Sequence, residues 1–87
     1  MVTWAFIFKS EGCNPEVDKM EMMHCGNRFL IFGCDTVEQG AAVAKRIVEE
    51  EKCTLIELCG GFGLEGAKVV KAAVGDIQVG YVITEGL

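Results

Sequence analysis

The chain has 87 residues, 51% hydrophobic and 24% charged. That is room for one domain with one core, and it excludes a disordered chain. A net charge of −5, with only eight Lys and Arg, argues against nucleic acid as a general partner, because phosphate binding needs a basic face.

The opening Met1-Val2-Thr3-Trp4-Ala5-Phe6-Ile7-Phe8 lacks a basic leader region, and Lys9 cuts it far short of a membrane span. It reads as a strand. Every position from Trp4 to Phe8 is apolar, the mark of a strand buried on both faces of a parallel sheet. Pro15 fits the first turn of a short helix running to about His24, with Val17, Met20 and Met23 as a thin apolar stripe. Phe29 to Phe32 is a second unbroken apolar run and a second strand. Thr36 to about Lys52 carries Val37, Gly40, Ala41, Ala44, Ile47 and Val48 on one stripe, a clear amphipathic helix. Asp35 or Thr36 caps it, with Glu38 or Gln39 at capping-box spacing.

Thr54 to Leu58 is the third strand. A helix from about Leu64 to Val74 follows, with Gly75 as its stop. Ile77 to Ile83 is the fourth strand, placed at an edge by Gln78 and Gly80 on one of its faces. The order β-α-β-α-β-α-β predicts a three-layer α/β fold: a mostly parallel four-stranded sheet in the order 2-1-3-4, resembling half of a flavodoxin-like or Rossmann-like sheet, with three helices.

Glu57-Leu58-Cys59-Gly60-Gly61-Phe62-Gly63-Leu64-Glu65-Gly66 is the most informative stretch. Gly61, Gly63 and Gly66 satisfy G-x-G-x-x-G directly after a strand and at the opening of a helix, where free N–H groups and the positive dipole end attract an anion. Glu85 lies 19 residues beyond Gly66, close to the spacing of a ribose-binding acid. The same glycines also suit a tight turn and close helix packing. A dinucleotide needs two mononucleotide halves, and this chain has at most one. Under the expected topology, Lys9, Ser10, Glu11, Gly12 and Cys13 face Gly60 to Gly66 across a crevice, with Asp35, Thr36, Thr84 and Glu85 at the same edge. Lys9 offsets an anion's charge there and Ser10 donates a hydrogen bond; the competing reading is of solvated loop ends.

Five cysteines form no CxxC pair, which points to reduced thiols in the cytoplasm. Cys59, just before a helix, is placed for a lowered pKa, and Glu57 two residues earlier is a candidate base or orienting group. The alternative is a small buried thiol. Topology gathers Cys13, Cys34 and Cys59 at one edge and His24, Cys25 and Cys53 at the other. Neither group has zinc-ligand spacing, so no metal and no cofactor is expected.

Ala5-Phe6-Ile7-Phe8, together with Ile56-Glu57-Leu58-Cys59-Gly60-Gly61-Phe62-Gly63, resembles a domain-of-unknown-function family of small α/β proteins. The resemblance implies a compact α/β fold and no established activity, so it brings no functional residues with it.

The leading expectation is a small-molecule-binding domain that holds an anionic group through Lys9, Ser10, Gly60, Gly61, Gly63, Gly66 and Glu85. One alternative is a small enzyme with Cys59 as nucleophile. Another is a structural or interaction subunit whose glycine loop only turns the chain. One sheet face has thin cover in the expected topology, so the sequence also predicts a homo-oligomer, most simply a two-fold dimer with Met20, Met22 and Met23 contributing. No membrane partner is expected.

Overall fold

The computed structural model describes residues 1–86. Its elements in chain order are β1 (Thr3–Lys9), β2 (Lys19–His24), β3 (Asn27–Cys34), α1 (Val37–Glu51), β4 (Leu55–Leu58), a 3₁₀ turn (Gly60–Phe62), α2 (Gly63–Val74) and β5 (Gln78–Tyr81). They form one five-stranded mixed sheet in the order β2-β3-β1-β4-β5. Strands β3, β1, β4 and β5 pair in parallel, and β2 runs antiparallel along β3.

This corrects the expected four-stranded parallel sheet with three helices. The segment after Pro15 makes a single turn: the Asn14 amide donates to the Asp18 carboxylate at 2.7 Å, and the Asp18 amide donates back to the Asn14 carbonyl at 2.7 Å. From Lys19 the chain is extended. Cys25 (φ 49) and Gly26 (φ 77) then form a two-residue hairpin connection with both residues at positive φ, the geometry that matches strand twist. Met20 and Met22 lie on one face of this strand and Lys19 and Glu21 on the other, a period-2 pattern that the helical reading overrode.

The hairpin also removes a layer. The connections β3-α1-β4 and β4-α2-β5 move the same way across the sheet, so right-handed crossovers put both helices on one face, where they pack on each other. The connection from β1 to β3 runs through β2 instead of a helix, and no element among the described residues covers the opposite face. The fold therefore has two layers.

The core lies between sheet and helices: Ala5, Ile7, Leu30, Phe32, Ile56 and Leu58 from the strands meet Val43, Ala44, Ile47, Phe62, Ala67 and Val70. α1 starts at a Thr36 cap whose hydroxyl accepts from the Gln39 amide at 3.1 Å, while the Gln39 side chain accepts from the Asp35 amide at 2.7 Å. α2 ends at Gly75 (φ 66), where the Lys71 ammonium donates to the Ile77 carbonyl at 2.7 Å. No helix among the described residues is long and apolar enough to cross a membrane.

Candidate functional site

The glycine-rich turn sits at the C-terminal edge of the parallel strands. Gly63 (φ 64, ψ −178) redirects the chain from the 3₁₀ turn into α2, a conformation that excludes a Cβ. Gly61 lies against the end of β1, where a Cβ would stand 3.5 Å from the Lys9 carbonyl oxygen. Gly60 faces Thr84 and the Val82 carbonyl, each 3.4 Å from a Cβ placed there. Gly66 belongs to the contact between the helices: a Cβ there would lie 3.2 Å from both Phe62 Cβ and Val37 Cγ2. Phe62 in turn is buried beneath Gly40 of α1, whose missing side chain makes room for the ring.

The structure thus brings Lys9, Gly60 and Gly61 together. Ser10 is next to them, its amide donating to the Cys34 carbonyl at 2.8 Å. Gly63 turns the chain, Gly66 packs two helices, and Glu85 is exposed beyond β5.

Cys59 Sγ accepts a hydrogen bond from the Lys9 amide at 3.2 Å, and Cys34 Sγ donates to the Phe8 carbonyl at 3.4 Å. The two thiols therefore flank a single peptide unit from neighbouring strands. Glu57 is exposed on the uncovered face of β4, and no hydrogen bond among the described residues joins Cys59 to a carboxylate or imidazole. His24 lies at the opposite end of the sheet, its ring edge-on to Trp4. Burial pushes the Cys34 thiol up to about 11, and the neighbouring Cys59 and Cys13 push the same way. Burial also raises Cys53. No group of three or more His, Cys, Asp or Glu residues among the described residues is placed to hold a metal.

A second place, not singled out by the sequence, carries a cavity. α1 covers β1 and β3 but stops short of β2, which leaves a cleft of about 370 Å³. Leu30, Phe32 and Ile47 make its apolar floor, and Lys19, Arg28 and Arg46 stand around it with Glu21 and Glu51. Arg28 bridges Glu21 at 2.9 Å and Glu51 at 2.7 Å, and this raises the Arg28 pKa further. Arg46 pairs with Glu16 at 2.7 Å and its guanidinium carbon lies 5.9 Å from the Phe32 ring centroid. Hydrogen bonds from these arginines hold the Glu16 and Glu21 carboxyls below the usual carboxylate range. Lys19 makes no ion pair among the described residues. The signal for this cleft was the hairpin: once β2 and β3 pair, Lys19, Glu21 and Arg28 share the helix-side face of two adjacent strands.

The sequence pattern of DUF6506, a family of unknown function, matches residues 2–86. The chain belongs to that family. No curated protein and no solved structure matches it.

Proposed function

We propose that this DUF6506 domain binds a small anionic molecule with an apolar part, in the cleft between α1 and the β2–β3 hairpin. The observation that carries the reading is the combination of a 370 Å³ cavity, an apolar floor and two cations at its rim open to an anion. Lys19 is without an ion pair among the described residues and Arg46 is held only by the exposed Glu16, while Arg28 is taken by Glu21 and Glu51. That volume lies in the range of small-molecule sites, which typically pair apolar walls with a few placed polar groups. An aromatic or branched group would rest on Leu30, Phe32 and Ile47. Its carboxylate or phosphate would take Lys19 and displace Glu16 from Arg46, exchanging one exposed ion pair for another at little net cost.

The nearness of Gly61 to Lys9, in the 3₁₀ turn that precedes α2, favours a second reading, in which the anion sits at the glycine turn with Lys9, Ser10, Gly60 and Gly61. A thermal-shift panel of apolar carboxylates and organophosphates separates the two. A ligand at 100 times its dissociation constant adds about 2.7 kcal/mol, a readily visible shift. The cleft reading expects the shift to vanish in Lys19→Gln and Arg46→Gln and to persist in Gly61→Ala. Loss only in Gly61→Ala transfers the site to the turn, and a panel without any shift overturns both readings.

A further inference from the structure

Trp4, Phe6 and Phe8 of β1, Phe29 and Ile31 of β3, and Leu55 of β4 all point to the face that carries no helix. None of the six belongs to the buried core or to the apolar residues packed against it. Met20 and Met22 extend the patch onto β2, 61% and 48% exposed. The Trp4 and Phe29 rings stack at 4.0 Å, and Phe8 lies across the space left by Gly33. Glu57 is the one charged strand residue on this face, between Phe6 of β1 and Gly80 of β5. His24 Nε2, on edge strand β2, is shielded from solvent and has no hydrogen-bond partner among the described residues.

We infer that this face is the interface of a two-fold homodimer in which the uncovered sheets of two copies pack together. The strands are seven, six, eight, four and four residues long. At ~4.8 Å between strands and ~3.3 Å per residue, they span on the order of 450 Å² in projection. Protruding rings and thioethers raise the accessible area above the projection, to the scale of the roughly 800 Å² per partner that a standard interface buries. The largest apolar patch on a typical monomer is about 300–600 Å² and often marks a contact, and this face reaches that size.

The face is apolar across β1 and β3, with a hollow of about 250 Å³ lined by Phe8, Met20 and Ile31 together with Asp18 and Lys19. Glu57 lies to the β4 side of Phe6, so the protruding rings and thioethers of a second copy find apolar surface to pack on. An anionic bilayer is disfavoured by the net charge of −5. Of the three methionines expected at an interface, Met20 and Met22 take part, whereas Met23 pairs with Arg28 and points to the helix side. The cleft proposed for ligand binding opens on the helix side and shares only Met20 with this face, so variants at Phe6, Met22 and Ile31 separate dimerisation from ligand binding.

Sedimentation equilibrium of the full chain tests this at micromolar and higher concentrations. The expected result is twice the chain mass for the wild type, and the single-chain mass for Phe6→Lys and for Ile31→Lys with an unchanged far-ultraviolet circular dichroism spectrum. Should a central variant fail to fold, Met22→Lys at an exposed position still raises the dissociation constant at least tenfold. Trp4 fluorescence should also shift to the red on dilution of the wild type. A wild type that stays monomeric, or a dimer that neither Ile31→Lys nor Met22→Lys weakens, overturns the interface.

Discussion

The two faces of this sheet are built from similar residues and meet different surroundings. Ile7, Ile56 and Leu58 are fully buried against α1 and α2, whereas Phe6 and Glu57, their neighbours in sequence, look out from the other side. An unbroken apolar strand says that both of its faces avoid water, but not which element covers each. That is decided by the connections. The crossovers through α1 and α2 cover one face, and the route from β1 to β3 through a hairpin covers nothing.

The largest expected effect breaks the comparison at its centre. Ile56→Ala removes a fully buried side chain and should cost about 2–5 kcal/mol of stability, read as a lower urea midpoint. Phe6→Ala, measured at dilutions where the chain is monomeric, should cost less than half as much although it deletes more atoms, because its ring is only partly buried. Equal losses would mean that the uncovered face carries as much of the monomer's stability as the core does.

The glycines sharpen the same contrast. A Cβ at Gly40 would stand 2.7 Å from two Phe62 ring atoms and 3.3 Å from Cys34 Sγ, and Phe62 is held under both helices. Gly40→Ala should therefore destabilise by about 1–3 kcal/mol, despite alanine's better helix propensity. Gly80 on β5 has nothing within 4 Å of its missing Cβ, and Gly80→Ala should change stability by about 0.5 kcal/mol or less. Thermal denaturation of the two variants side by side gives the difference directly.

Much of this contrast was legible in the sequence. The four apolar runs are strands, the capping box at Thr36 and Gln39 starts α1, and Gly75 stops α2. The turn at Gly60 to Gly63 joins a strand to a helix, as its spacing implied. What escaped was β2. Pro15, with Val17, Met20 and Met23, suggested a helical stripe, but Cys25-Gly26 is a hairpin turn in which only Gly carries the usual signal. Missing that one strand misplaced a layer and hid the cleft, since Lys19, Glu21 and Arg28 come together only when β2 pairs with β3. The glycine motif was ambiguous for a physical reason. The same absence of a Cβ permits an anion's approach and the burial of Phe62, and Gly40, distant in sequence, is needed to show that packing claims part of the pattern.

A further expected effect concerns a thiol on the covered face. Cys34 is fully buried, and desolvation pushes its pKa from 9.0 to about 11. Between those values the unfolded chain loses the thiol proton while the folded chain keeps it. The folded state then binds more protons, so stability is complete below about pH 9 and declines as pH rises toward 11. Cys53, raised by burial as well, acts in the same direction. The decline should be on the order of 1 kcal/mol between about pH 8 and about pH 10, measured as a shift in urea midpoint. Cys34→Ala deletes one titrating group and should flatten the slope, and a slope unchanged in that variant would assign the alkaline loss to other groups. Alkylation gives an independent reading of the same burial: Cys25, exposed at the hairpin tip, should react first, and Cys34 and Cys53 only as the chain unfolds.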